Sequence, residues 1–238
     1  YTLSGMAVFA ASFARKQEPT PAEQRYLDGL KLSVVIAGHN EADAIERCLK
    51  SLSEQTRKID EIIFIDDGST DGMREIIHKY RLRGQIDIAL SNQVRSGKSA
   101  SCNLGFSLAK GDIIINLDAD CSYDRDAIAR LIEPFTDPRV GAATGSIGVR
   151  NYDYSAVTGY QAIEYIVSIG MGKRALDTID MVVCASGAFG AFRREAIHQV
   201  GLLAPGPGED FDLTLRLRRS GWKIRFAADS WCFTDTPA

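Results

Sequence analysis

An α/β fold with a mainly parallel central sheet is predicted by two features of this sequence. From Lys31 onward, apolar runs of strand length alternate with segments of helical period, joined by short loops. Residues of ligand-binding type (Asn40, Glu41, Asp67, Lys98, Asp118 and Asp120) fall at or near the ends of those runs. Open sheets of this kind bind ligands at the carboxyl ends of their strands. At 238 residues, 45% hydrophobic and 25% charged, the chain has room for one such domain with a sizeable core, or two small ones.

The first strand is read over 32–37, and a helix over 41–55 carries Ala44, Ile45, Cys48, Leu49 and Leu52 on one face. A second strand over 61–65 closes on Asp66-Asp67-Gly68-Ser69. The next helix turns Met73, Ile76, Ile77 and Tyr80 inward, with Asp71 as its N-cap. A third strand over 86–90, a helix over 99–109 and a fourth strand over 112–117 follow. Asp124 is read as the cap of a helix that lines Ala127, Ile128, Leu131, Ile132 and Phe135 on one side. The stretch 154–176, rich in Tyr, Ile and Val, faces an acceptor, a membrane or the core, and the core is the expectation. No internal repeat or low-complexity tract is present.

Residues 1–30 read as a separate N-terminal segment. The apolar stretch 3–14 before Arg15-Lys16 is too short to span a bilayer, which takes about 20 residues. It reads either as the last turns of a truncated transmembrane helix, with the basic pair on the cytoplasmic side, or as a short core or surface helix. Residues 17–24, with Pro19 and Pro21, read as a linker. A net charge of −3 gives no overall attraction to nucleic acid or to an anionic membrane. Five scattered cysteines without a Cys-x-x-Cys pair indicate buried thiols in a reducing compartment.

Asp118-Ala119-Asp120 ends a strand that is otherwise apolar. Positions two apart on a strand share a face, so both carboxylates can converge on one hard cation, Mg²⁺ or Mn²⁺. Such ions share their coordination with substrate phosphates; the alternative is an Asx turn with solvated acids. Asp66-Asp67 sits where a carboxylate can accept from a ribose or a base, or simply form a turn. No Gly-x-Gly-x-x-Gly follows the first strand, against a dinucleotide fold. Arg95-Ser96-Gly97-Lys98-Ser99 resembles the tail of a phosphate loop, but Asn92 stands where a Walker motif needs its first glycine. Lys98 at a helix start still suits a diphosphate, or else is a solvated surface lysine. Glu209-Asp210 opens an amphipathic helix, either as dipole complement or as a general base. The small residues Ser186-Gly187-Ala188 allow a ligand close to the backbone, or form a tight core turn.

Together, Ile36-Ala37-Gly38-His39-Asn40-Glu41, Asp66-Asp67-Gly68-Ser69, Gly97-Lys98, Asp118-Ala119-Asp120, Ser186-Gly187-Ala188 and Gly208-Glu209-Asp210 resemble glycosyltransferase family 2 over residues 32–234. The wording is most similar to the membrane branch of cellulose, chitin and hyaluronan synthases. That resemblance implies a GT-A fold, a Rossmann-like three-layer sandwich, for a domain over 31–238 truncated at its C-terminal side. It implies an inverting transfer from a UDP-sugar to a hydroxyl of a growing polysaccharide. Ala37, Asn40, Glu41 and Asp67 would hold the uridine, Lys98 and Asp118 the nucleotide, and Asp118 and Asp120 the metal. Asp210 would be the base, with Glu209 beside it, and Ser186 and Gly187 would floor the sugar site. The domain would work at the cytoplasmic face of the cell membrane, anchored through segments outside this chain.

Two departures stand out. Gly38-His39 replaces the family's frequent Pro-x-Tyr, leaving His39 to pack on the base. The synthase Gln-x-x-Arg-Trp motif is missing, because Trp222 and Trp231 follow Gly221 and Ser230. A non-processive transferase adding one sugar is the nearest alternative. A nucleotide-binding module without catalysis, such as a phospho-receiver, is a more distant one, since receivers carry their acidic pair after the first strand.

Overall fold

A computed structural model describes residues 18–236; the apolar stretch 3–14 lies outside them. Helix α1 (Pro21–Gly29) precedes strand β1 (Leu32–Gly38), and then strands and helices alternate. They run α2 (Ala42–Ser53), β2 (Glu61–Asp66), α3 (Met73–Leu82), β3 (Ile88–Ser91), α4 (Lys98–Leu108) and β4 (Ile113–Asp118). The remainder is β5 (Ser122–Tyr123), α5 (Ala127–Ile132), a 3₁₀ turn (Glu133–Thr136) and β6 (Val140–Val149). After these come α6 (Ala156–Glu164), a π-helical stretch (Tyr165–Met171), α7 (Gly172–Thr178), β7 (Phe189–Arg193), α8 (Arg194–Gln199), α9 (Glu209–Arg219) and β8 (Lys223–Thr234).

All strands join one sheet in the order β3-β2-β1-β4-β7-β6-β8-β5. The half β3-β2-β1-β4 is parallel, β7 runs antiparallel between β4 and β6, and β8 is parallel to β6. The mainly parallel sheet expected from the sequence is present. Residues Leu32 to Ile36 of β1 have no solvent exposure, as both faces of the strand are covered. On one side, α2, α3 and α5 bury Ile45, Leu49, Met73, Ile128 and Leu131 against the sheet. On the other, α4, α8 and α9 bury Phe106, Ile197, Leu213 and Leu217. Gly105 lets α4 lie directly on β1, where a Cβ would overlap Val35.

Three local expectations give way. The linker read over 17–24 ends in a helix: Pro21 opens α1, the Thr20 side chain accepts from the Glu23 N–H, and Glu23 accepts from the Thr20 N–H in return. Leu27 then buries, and the Arg57 guanidinium donates to the carbonyls of Leu27, Asp28 and Leu30. Neither acid read as a cap is one. Gly72 is the N-cap of α3, and Asp71 spends its carboxylate on the Met73 and Ala42 N–H groups. At α5, Gln55 accepts from the Ile128 N–H in place of Asp124.

The stretch 154–176 is not core. Tyr154, Val157, Tyr160, Ile163, Ile166 and Val167 are exposed, while Tyr165 and Ile169 pack inward. The helix is apolar on both sides, so periodicity alone could not say which stripe was buried.

Candidate active site

The carboxyl ends of β1, β2 and β4 open on a cleft of about 210 Å³ lined by Ala37, Glu41, Asp67, Lys98, Asp118 and Asp120, with His39 and Arg95. Every one of these lies within three residues of a strand end, in the loop entering α4 or at the first residue of α4.

Asp118 and Asp120 reach the cleft differently from the strand alternation read in the sequence. Strand β4 stops at Asp118, and Ala119-Asp120 forms a turn. Ala119 is buried, and Gly38 makes room for it, since a Cβ on Gly38 would sit 2.8 Å from the Ala119 methyl. The turn brings the second carboxylate back to the first. Asp120 accepts from Cys121 Sγ and from Thr234 Oγ1, both at 3.2 Å, which ties it to β8.

Lys98 Nζ lies 2.6 Å from Asp118 Oδ1. Burial works against the ammonium, but the Asp118 carboxylate outweighs it and raises the lysine above its usual range. Asp118 is itself raised, chiefly by burial and further by Asp120 and Asp210, in spite of Lys98. Glu41 is raised by burial and then by Asp120, Asp118 and Asp71. Negative charge therefore exceeds positive charge in this cleft, and a divalent cation fits the donor set of hard carboxylate oxygens. Among the described residues no cluster of three His, Cys, Asp or Glu side chains has metal-binding geometry. Asp118 and Asp120 fit an ion that completes its coordination with water and phosphate oxygens.

Asp67 plays a larger structural part than its sequence suggested. Its carboxylate accepts from Asn92 Nδ2, the Ser96 N–H and Oγ–H, and the Gly97 N–H, at 2.7–2.9 Å. Burial alone would raise Asp67, but these bonds hold it well below the usual carboxylate range. One side chain thus fixes the whole loop that delivers Lys98 to the start of α4. A group with a depressed folded pKa stabilises above its unfolded pKa and loses that contribution as pH falls through the folded value. Asp67→Asn should cost about 2 kcal/mol through unsatisfied loop donors. It should lower Tm by roughly 4–8 °C at neutral pH, read by thermal melting. The difference from the native chain should shrink on acidification.

Asn40 does not line the cleft. It sits at φ 58°, and its side-chain oxygen accepts from the Thr70 N–H while its N–H reaches Ser69 Oγ. His39 places a ring nitrogen 2.9 Å from the Asp67 carbonyl. Both residues brace the β1 and β2 loops against each other.

Asp210 and Glu209 occupy the first turn of α9. Asp210 Oδ2 accepts from the Gly187 N–H at 2.7 Å. Burial raises the Asp210 carboxyl, with Glu209 adding to it, while the Gly187 bond, Lys98 and Lys173 act the other way. Asp210 thus stands in the field of Lys98 and Asp118, so the two motifs, far apart in sequence, lie close enough to interact. The sequence reading missed Asn92, Arg95, Asn116, Lys173 and Thr234. Of these Arg95 lies inside a motif that was read, and Asn92 and Asn116 lie close to one, without a role being assigned to them; Lys173 and Thr234 meet the site through folding alone.

A cleft at the carboxyl ends of a parallel sheet, with paired acids, a lysine and a half-buried carboxylate at a helix start, fits a transferase acting on a nucleotide-activated group. The chain belongs to glycosyl transferase family 2, whose family model matches residues 33–201. Poly-beta-1,6-N-acetyl-D-glucosamine synthase of Staphylococcus aureus (strain MSSA476) is 33% identical over 209 residues, covering 87% of this chain and 50% of that protein. The synthase of the same name from Staphylococcus epidermidis is 30% identical over 219 residues, covering 91% and 52%. The chain spans about half the length of the curated relatives it matches. Among solved structures, a mannosyltransferase from Pyrobaculum calidifontis in complex with GDP-Man and Mn²⁺ superposes with a TM-score of 0.69 at 21% identity, over 98% of this chain and 68% of that one. GalNAc-T7 with UDP, GalNAc and Mn²⁺ gives 0.69 at 22% identity, over 88% and 44%. These likenesses show the GT-A fold.

Proposed function

We propose that this domain moves a sugar, with inversion, from a UDP-sugar to a hydroxyl of a growing polysaccharide, as part of a membrane synthase. The observation that carries the proposal is the joining of two half-sites. Asp118, Asp120 and Lys98 line the cleft, and Asp210, held by Gly187, stands in the field of Lys98 and Asp118.

Ala37, Glu41 and Asp67 would line the uridine end, with His39 and Arg95 beside them. Mg²⁺ or Mn²⁺, held by Asp118 and Asp120, would neutralise charge on the leaving diphosphate. Lys98 adds a fixed positive charge beside it, at a helix N-terminus whose free N–H groups also favour phosphate. Asp210 takes the proton of the acceptor hydroxyl as its oxygen forms a bond to the anomeric carbon. The bond from that carbon to the phosphate oxygen breaks, and UDP departs with the electron pair. Ser186 and Gly187 floor the space between the two halves.

The relatives' name supports UDP-N-acetylglucosamine as donor and a β-linked N-acetylglucosamine polymer as product. Cysteines that are free, four of them buried, support a domain on the cytoplasmic side of the membrane. The exposed stripe Val157, Tyr160, Ile163 and Val167 supports a domain that works against the membrane surface. Radiolabelled UDP-N-acetylglucosamine given to the full-length protein tests the proposal. Label should enter a polymer and be chased by unlabelled donor. A product of one added sugar would favour the single-addition transferase, and no incorporation from any UDP-sugar would contradict both.

A further inference from the structure

We propose that Asn116 and Gly187 form a clamp that registers the base Asp210 against the metal strand β4, a role that rests on the transferase reading above. Asn116 is buried in β4 two residues before Asp118, so both side chains leave the same face of the strand. Its Nδ2 donates to the Gly187 carbonyl at 2.7 Å. On the other side of that residue, the Gly187 N–H donates to Asp210 Oδ2 at 2.7 Å. One glycine is therefore held from both sides, by the strand that presents Asp118 and by the base itself.

Two features show that these residue types serve the contact. Asn116 Oδ1 is buried without a hydrogen-bond partner, a cost that an apolar residue would not carry in the middle of a strand. The reversed amide would set its oxygen against the Gly187 carbonyl, so the N–H must point as it does. At Gly187, a Cβ would overlap both carboxylate oxygens of Asp210, the farther at 2.8 Å. No other residue lets the base come this close.

The rest of the segment is anchored as firmly. The Ala185 N–H donates to Thr214 Oγ1, and the Thr214 hydroxyl donates in turn to the Asp210 carbonyl. The Ser186 N–H donates to Thr144 Oγ1 on β6. Asp118 and Asp210 are thus tied to one rigid strand by two hydrogen bonds through Gly187. Their separation sets how the acceptor hydroxyl meets the anomeric carbon while the diphosphate sits on Asp118. Misplacement by about 1 Å costs roughly 10²-fold in rate.

The groups that face Asp210 are Glu209 on its own helix, Lys98 and Cys102 of α4, Lys173 of α7, Asp118 of β4 and Cys184. The Gly187 N–H is the neutral donor that holds the carboxyl down against burial. Its loss moves the base to higher pKa.

The test compares full-length native protein, Asn116→Leu and Gly187→Ala with UDP-N-acetylglucosamine as donor. UDP affinity with Mn²⁺ is read by calorimetry, and kcat, KM and the pH–rate profile by label transfer. Both variants should keep UDP affinity within about twofold and lose about 10²-fold in kcat. The acidic limb of Gly187→Ala should shift to higher pH, which a merely structural defect would not produce. Unchanged kcat, an unmoved acidic limb, or kcat and UDP affinity falling together would overturn the clamp. A native protein that binds UDP but transfers nothing would instead sink the transferase reading, and the clamp with it.

Discussion

Asp210→Asn is expected to reduce sugar transfer by about 10²–10⁴-fold, the usual contribution of a positioned general base. The amide oxygen of the variant can still accept from the Gly187 N–H, so the local geometry survives. What it loses is the ability to take a proton. UDP affinity in the presence of Mn²⁺ should therefore stay within about twofold of the native value, because Asp210 lies outside the set of residues lining the cleft at the strand ends. Steady-state transfer and UDP calorimetry on the same preparations check this. A loss of transfer that tracks a loss of UDP binding would place Asp210 in the scaffold and not in the chemistry.

Asp118→Asn is the second large expectation, and its pattern is the opposite. The substitution removes one of two carboxylates available to the cation and leaves Lys98 without its partner at 2.6 Å. Metal-dependent binding of UDP should fall by about 10²-fold or more, since the ion stabilises diphosphate charge by several kcal/mol. Stability should barely change. The Lys98 and Asp118 side chains are 45% and 24% exposed, and an ion pair that open to solvent contributes roughly 0–1 kcal/mol. A variant that melts within a few degrees of the native protein and no longer responds to Mn²⁺ would separate function from folding at this position. Retained Mn²⁺-dependent binding would move the cation elsewhere.

How far the sequence carried the structure depends on the element. Strands β1, β2 and β4 were legible because both faces are buried, so each reads as a nearly unbroken apolar run. Strands β6 and β8 were not. The β6 sequence Val-Gly-Ala-Ala-Thr-Gly-Ser-Ile-Gly-Val has small residues where strand propensity wants branched ones. The structure explains them by neighbouring rings: a Cβ on Gly145 would overlap Phe189, and one on Gly148 would meet Phe233 at 2.8 Å. Such a requirement belongs to the partner strand and leaves no local signal. Likewise the stripe on α6 and the π-helical stretch is as apolar as a core helix, and only the fold reveals that it faces outward.

The site shows the same division. The acids after β2 and β4 could be found because an apolar strand that ends in carboxylates is locally anomalous. The work done by Asp67 was hidden, since its partners Asn92, Ser96 and Gly97 lie in a loop whose shape the sequence does not state. The Asn116 to Gly187 bond spans 71 positions, and an asparagine inside a strand says nothing of where its amide points. Local chemistry is read from sequence; registry between motifs comes from the fold.

The most direct test of the account is a calorimetric titration of UDP into this domain with Mn²⁺ and again after chelation. Binding that requires the metal, and that Asp118→Asn removes while Asp210→Asn does not, is the predicted result. Equal binding with and without Mn²⁺, or no binding at all, would contradict the assignment of this cleft to a nucleotide-sugar diphosphate.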